Sequence, residues 1–243
     1  MFKDNQYQLV KLGLNMQLSV IMPAYLEEEN LRILLPRIKN VLSELKLESE
    51  VLVIDTETPM DGTRSACEEL NVNYFNRALS NSYGAAIRSG INNAKGKYII
   101  FMDSDGSHYP DFIKNLWEQK DQSDIVIASR YVEGGHTENN AGLVLMSKVV
   151  NWGYSFVLGI NAKDVSNSFK LYRGDHLRQL ELKCENFDIV EEIIYKIIKK
   201  NKNCTIKEIP FSFKQRMFGE TKRNLPVFIF TYFLTLFKLR FFT

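Results

Sequence analysis

The chain has 243 residues, 45% of them hydrophobic and 25% charged, an ordinary globular composition that excludes disorder, collagen and coiled coil. Its 31 basic and 29 acidic side chains leave a net charge of only +2, but the distribution is lopsided: Lys196 to Thr243 hold eleven basic side chains against two acidic ones, so that end carries +9 and the rest of the chain −7. The basic end also holds ten of the 29 aromatic residues, from Phe211 to Phe242. That pairing points to a membrane surface or a polyanion. Nucleic acid is disfavoured, because the body is acidic and the basic excess lies among apolar aromatics.

In chain order, residues 1–17 carry Lys3, Asp4 and Lys11 with no apolar run, so they read as an N-terminal extension and not as a signal peptide. Short β-branched runs at Leu18 to Met22, Glu50 to Ile54, Val72 to Phe75, Tyr98 to Met102 and Asp124 to Ala128 read as strands. Between them, Glu28 to Leu47, Asp61 to Leu70 and Ser82 to Ala94 place apolar residues at helical spacing. Strand and helix alternating in this way predict a mostly parallel sheet buried between helices, with ligands bound beyond the carboxyl ends of the strands. After Arg130 a Gly-containing loop leads to a helix at Leu143 to Leu158, a strand at Ser168 to Tyr172, a helix at Phe187 to Lys200 and a strand at Thr205 to Ile209. Pro226 opens a final apolar helix. Its longest apolar stretch, Leu225 to Phe237, is 13 residues, short of the roughly 20 that span a bilayer. Cys67, Cys184 and Cys204 are widely spaced and odd in number, which predicts a reduced, cytosolic-facing protein.

Three strand ends carry acidic loops. The strand Tyr98 to Met102 runs straight into Asp103-Ser104-Asp105, two carboxylates at the mouth of the sheet that suit a hard divalent cation. Pro23 to Leu31 and Asp55 to Thr63 follow the first two strands, and Asp61 stands where a helix N-cap would.

With these pieces in place, the chain resembles glycosyltransferase family 2, nucleotide-sugar transferases of the α/β GT-A fold, most closely the dolichyl-phosphate mannosyltransferase-like branch. The resemblance rests on VIMPAYLEEENL (Val20 to Leu31), VIDTETPMDGT (Val53 to Thr63), YGAAIRSGINNAKGKYIIFMDSDGSHYP (Tyr83 to Pro110), DIVIASRYVEGG (Asp124 to Gly135), DVSNSFKLYR (Asp164 to Arg173) and IPFSFKQRMFGETK (Ile209 to Lys222), six motifs in order. It implies a catalytic domain over 18–223, followed by an apolar aromatic helix over 224–243. Pro23, Ala24, Tyr25, Glu27, Asp55 and Asp61 would wall the nucleotide-sugar site, with Ser104 beside them. Asp103 and Asp105 would hold Mg²⁺ or Mn²⁺ on the diphosphate, and Ser107, where the branch usually has Gln, would reach that shell through a water. His108 would orient the loop. Arg130, Arg216 and Lys222 would be the cations that meet the acceptor phosphate, with Lys148 or Ser147 in the place of a further phosphate-binding group. The Asp55 loop departs from the family's Asp-Asp-Gly-Ser pattern, which implies remodelled base contacts.

The resemblance thus implies a metal-dependent inverting transferase that moves a sugar from a nucleotide-diphosphate sugar to a polyprenyl phosphate. A phosphomonoester is already an oxyanion near neutral pH and needs cations, whereas a hydroxyl acceptor needs a general base. The alternatives are transfer to a hydroxyl of a cell-surface glycan, with Glu191 or Glu192 as base, and a non-catalytic subunit. The final helix would bring the protein to the cytoplasmic side of a membrane as a peripheral or monotopic anchor, or pack on a membrane-protein partner or a second copy.

Overall fold

The computed structural model describes residues 16–219 and 225–242; most of the expected N-terminal extension, and Lys222, lie outside the described residues. In chain order its elements are β1 (Leu18–Pro23), α1 (Glu28–Leu45), β2 (Ser49–Asp55), α2 (Thr63–Glu69), β3 (Asn73–Asn76), α3 (Tyr83–Asn93), β4 (Tyr98–Phe101), α4 (Phe112–Glu118), β5 (Ile125–Ser129), β6 (His136–Thr137), α5 (Ala141–Leu158), β7 (Lys170–Arg173), α6 (Gly174–Arg178), α7 (Ile189–Lys200), β8 (Ile206–Pro210), β9 (Ser212–Phe213) and α8 (Leu225–Phe242). The large sheet has the order β3-β2-β1-β4-β7-β5-β8, and β6 pairs with β9 in a small ribbon that the sequence reading does not contain.

All pairings in the large sheet are parallel except those of β7, which runs antiparallel between β4 and β5 with Lys170 opposite Phe101 on one side and Ile127 on the other. The reversal has a consequence for the site. The carboxyl ends of β4 and β5 meet the amino end of β7, so the loop 164–168 arrives at the mouth where the parallel strands finish.

Alternation along each strand divides the core between the two faces. Ile21, Leu52, Ile54, Ile99 and Phe101 pack under α3, α5, α7 and α8, while Val20, Met22, Val51, Val53, Ile100 and Met102 pack under α1 and α4. Local chemistry sets the helix starts: Ser82 Oγ accepts from Ala85 N–H at 3.1 Å to cap α3, and Asn140 Oδ1 accepts from Leu143 N–H at 2.9 Å to cap α5.

Helix α5 is the described helix long and apolar enough to cross a membrane by length and composition. Ser147, Lys148, Asn151 and Ser155 interrupt its apolar run, which is why only the C-terminal stretch stood out in the sequence. It buries Asn151, Tyr154 and Leu158 against the body and turns Leu145, Val149, Trp152 and Phe156 outward, the last two 67% and 74% exposed and stacked on each other. Helix α8 packs beside it through Tyr232, meets Asp188 at the start of α7 through Thr235, buries Leu239, and turns Phe233, Phe237 and Phe241 outward. Both outward faces therefore lie off the same side of the sheet.

Where α3 crosses β1, a Cβ on Gly90 would lie 2.4 Å from Ile21 Cγ2, so the crossing needs glycine. Gly90→Val is expected to lower stability by about 1–3 kcal/mol, through overpacking, when measured by urea denaturation.

Candidate functional site

The four parallel strands β1, β2, β4 and β5 deliver Pro23, Asp55, Asp103 and Arg130 to one edge of the sheet. The edge is stitched together by Arg77, a residue to which the sequence reading gave no role. Its side chain is almost wholly buried, and it donates only to backbone carbonyls: Asp55 at 2.9 Å through Nε, Asn81 and Ser82 at 3.1 Å through Nη1, and Ala24 through Nη2. Burial lowers its pKa, against the opposing pull of Asp55. A guanidinium that satisfies strand-end carbonyls in this way fixes the spacing of the β1 and β2 loops.

Asp55 is buried, with one oxygen accepting from Thr56 N–H at 2.7 Å and the other from Tyr74 Oη at 3.0 Å. Burial, with Asp55 beside it, pushes the Tyr74 hydroxyl up to about 12, so it stays a donor. Asp61 accepts from Glu28 N–H at 3.1 Å and Thr63 N–H at 3.0 Å, which joins the starts of α1 and α2, and Glu28 returns the contact on Gly62 N–H at 3.0 Å. The cap position of α2 falls on Gly62, so Asp61 stands one residue before the cap that its place in the sequence suggested, and it joins the two helix starts.

Asp103 and Asp105 stand half-buried at the end of β4. Asp103 Oδ1 accepts from Ser168 Oγ at 3.1 Å and Tyr83 Oη at 3.3 Å. Asp105 Oδ1 accepts from the Ser107 hydroxyl at 2.6 Å and its backbone N–H at 3.0 Å, so the structure uses Ser107 to orient Asp105. Ser104 Oγ turns away and donates to Pro23 O at 2.9 Å. Among the described residues, Oδ2 of each aspartate accepts no hydrogen bond. Asp103 Oδ2 lies 3.8 Å from His108 Nε2. Two partly exposed carboxylates, each with one oxygen fixed by hydrogen bonds, are a donor set that fits a hard divalent cation completed by ligand oxygens.

His108 is fully buried, stacked on Phe169 at 4.6 Å, accepting from Asp103 N–H on Nδ1 at 3.0 Å and facing Asn167 Oδ1 with Nε2 at 3.2 Å. Burial lowers its pKa, so it stays neutral and orients the loop, as expected from the sequence.

The loop 214–219 crosses over the aspartates. Met217 N–H donates to Asp105 O at 2.8 Å, and Lys214 N–H to Ser107 O at 3.2 Å. Arg216 Nη2 meets Glu27 Oε1 at 2.6 Å, and Glu27 is braced by Asn30 at 2.6 Å. Two residues expected on the donor side and the phosphate side thus form one ion pair. Tyr25 and Leu26 complete the β1 loop, Leu26 with a φ of 56°.

Arg130 is held by Asp164, a residue quoted within a motif but given no role. Nε donates to Oδ2 at 2.8 Å, Nη2 to Oδ1 at 2.6 Å, and the Arg130 backbone N–H to Oδ2 at 2.8 Å. Burial works against the charge, but the adjacent carboxylate more than offsets it and holds the guanidinium above its ordinary pKa. Nη1 makes no hydrogen bond among the described residues. Lys148, on α5, and Arg130 lie 5.7 Å and 5.0 Å from the same Tyr131 ring, so the helix brings a second cation to this end of the site.

The two carboxylates considered as bases are both buried. Glu192 accepts from the N–H groups of Lys183 and Cys184 at 2.9 Å and pairs with Lys196 at 2.7 Å. Glu191 is held by Tyr232 Oη at 2.9 Å.

Residues 19–181 match the model of glycosyl transferase family 2. Over 218 residues the chain is 34% identical to a dolichol-phosphate mannosyltransferase of Pyrococcus furiosus, covering 85% of this chain but 59% of that protein, so the chain spans less than two thirds of this relative. It is 30% identical over 225 residues to an undecaprenyl-phosphate mannosyltransferase of Micrococcus luteus, covering 86% and 88% of the two chains. Glucosyl-3-phosphoglycerate synthase from Mycobacterium tuberculosis, solved with Mn²⁺, UDP and glucosyl-3-phosphoglycerate, matches with a TM-score of 0.69 at 14% identity over 94% of this chain and 81% of its own. That likeness shows the shared GT-A fold alone.

Removing the carboxylate that holds Arg130 leaves a buried, unpaired guanidinium. Asp164→Asn is expected to cost about 3–5 kcal/mol in urea denaturation; a cost of about 1 kcal/mol or less, the range of exposed pairs, would contradict this account of the ion pair.

Proposed function

Because the chain belongs to glycosyl transferase family 2 and is a glycosyltransferase, we propose that it moves a sugar from a nucleotide-diphosphate sugar to a polyprenyl phosphate at a membrane surface. The observation that carries this reading is the division of one mouth into two half-open carboxylates, Asp103 and Asp105, and a cationic end built on Arg130 and Lys148, while both candidate bases are buried in other contacts. The relatives named for lipid phosphates point to the same acceptor.

On this reading the β1 and β2 loops, with Pro23, Ala24, Tyr25 and Asp55, take the nucleoside, and Arg77 keeps their spacing. Asp103 and Asp105 would hold Mg²⁺ or Mn²⁺, which when bound supplies positive charge to the diphosphate; the solved neighbours carry these ions with UDP. Arg130, through Nη1, and Lys148 bind the acceptor phosphate, and Arg216 reaches over the site from its anchor on Glu27. One acceptor phosphate oxygen attacks the anomeric carbon, the bond from that carbon to the diphosphate oxygen breaks, and the nucleoside diphosphate leaves with the electron pair. The acceptor oxygen is already ionised, so the protein has no proton to remove. Inversion at the anomeric carbon follows from attack opposite the leaving group.

The membrane part of the proposal rests on two helices and not only on the C-terminal one. Leu145, Val149, Trp152 and Phe156 of α5 and Phe233, Phe237 and Phe241 of α8 face outward from the same side of the sheet, with Lys148, Lys238 and Arg240 among them. Aromatics and aliphatics flanked by cations suit the headgroup region, and helix α5 carries Lys148 from that surface towards Arg130.

Asp105→Ala is expected to lower sugar transfer to polyprenyl phosphate by about 10²-fold or more with divalent metal present, measured as label entering the organic phase; transfer at the wild-type rate would contradict the assignment. Trp152→Ser with Phe156→Ser is expected to weaken vesicle partitioning by at least about tenfold, since each buried aromatic contributes roughly 1.5–3 kcal/mol, with the thermal midpoint unchanged. Unchanged partitioning would remove α5 from the membrane face.

A further inference from the structure

Four side chains of the loop 164–168 reach the site. Asp164 holds Arg130, Ser166 Oγ accepts from Arg130 Nη2 at 3.1 Å and from Asn151 at 3.0 Å, Asn167 Oδ1 meets His108 at 3.2 Å, and Ser168 Oγ donates to Asp103 at 3.1 Å. One short loop therefore sets both the cation on the acceptor side and the carboxylate on the donor side. The loop belongs to neither a helix nor a strand, so something must fix its backbone.

That fixing group is an ammonium in the middle of the sheet. Lys170 begins β7, its side chain has no exposure at all, and Nζ donates to Val165 O at 2.9 Å and to Asn167 O. Lysine is almost never fully buried without a partner, and a strand sandwiched between β4 and β5 is an expensive place for a charge. We infer that Lys170 is a positioning residue for this transferase site, clamping the loop 164–168 in the shape from which it holds Arg130 and Asp103. The inference rests on the glycosyltransferase reading for its kinetic consequences, but the clamp itself is a statement about the loop.

The counter-charge comes from the helix layer. Glu191, also without exposure, is the first carboxylate acting on Lys170, with Asp164 the second. Burial pulls Lys170 down to about 8 and pushes Glu191 up to about 8, and each charge opposes the shift of the other. Glu191 Oε1 accepts from Tyr232 Oη at 2.9 Å, and Tyr154 Oη in turn donates to Tyr232 O at 2.9 Å. The clamp is thus backed by α7 and roofed by α5 and α8, the two helices whose outward faces are proposed to meet lipid.

The test separates clamping from mere stability. Lys170→Met alone removes the clamp and leaves the buried carbonyls of Val165 and Asn167 without their donor, so it is expected to be destabilised as well as slow. Lys170→Met with Glu191→Gln removes both charges. The carbonyls of Val165 and Asn167 remain without a donor, so it is expected to stay less stable than wild type, with kcat about 10–100-fold lower, the penalty of a displaced site. Glu191→Gln alone leaves both Nζ hydrogen bonds in place, so amide protection over 164–169 is expected to match wild type. Recovery of kcat together with stability in the double variant would overturn the inference. Hydrogen exchange reads the clamp without any activity: amides of 164–169 are expected to lose protection in the double variant, and unchanged protection would also overturn it. If the wild-type protein transfers no sugar in the same assay, the functional reading fails, and the exchange result still decides the clamp.

Discussion

Arg130 keeps its charge with nine-tenths of its side chain out of water because Asp164 accepts from it through both carboxylate oxygens. A guanidinium in that position would otherwise be too costly to bury, and its presence constrains everything nearby. Asp164 must come from a loop that reaches the end of β5, and that loop must be rigid. The antiparallel insertion of β7 between β4 and β5 meets the first demand, because it aims the segment before β7 at the mouth of the sheet. Polar contacts meet the second: Glu208 accepts from the N–H groups of Lys163 and Asp164 at 2.7 Å and 2.9 Å, Asn151 braces Ser166, and the buried Lys170 holds the carbonyls.

The same economy runs across the other half of the site. Arg77 does for the β1 and β2 ends what Lys170 does for the loop before β7, satisfying backbone carbonyls with a buried cation. Among the described residues, the polar groups at the mouth include Asp103, Asp105, Arg130, Lys148 and Arg216. A site framed by buried cations and neutral His108 keeps its own charges in place, with carboxylates at one end and cations at the other.

Much of this was legible in the sequence. The β-branched runs and helical spacings located five strands of the large sheet before Arg130 and the first three helices between them, because buried parallel strands are near-continuous apolar runs. The aspartates of Asp103-Ser104-Asp105 were found because they directly follow such a run. What escaped were residues whose roles depend on contacts distant in the chain. Arg77 looks like any polar residue after a short strand, yet it closes onto Ala24, 53 positions away. Lys170 sits in an alternating strand, and only the helix layer over its face of the sheet buries it. The five-residue α6 and the two-residue strands of the β6–β9 ribbon carry too few residues for a periodic signal, and α4 has no explanation on length, since α2 is equally short. The outward face of α5 was missed because polar residues facing the body break its apolar run. The excess of positive charge at the C-terminal end likewise divides: Arg216 lies over the aspartates, while Lys238 and Arg240 sit on α8.

The central claim is that the acceptor brings its own negative charge and that the protein supplies cations and no base. Purified protein given a nucleotide-diphosphate sugar, Mg²⁺, and either a polyprenyl phosphate or the corresponding polyprenol tests it in one comparison. The account predicts labelled sugar in the organic phase with the phosphate and none with the alcohol. Label on the alcohol, or only on the hydroxyls of an added glycan, would contradict it.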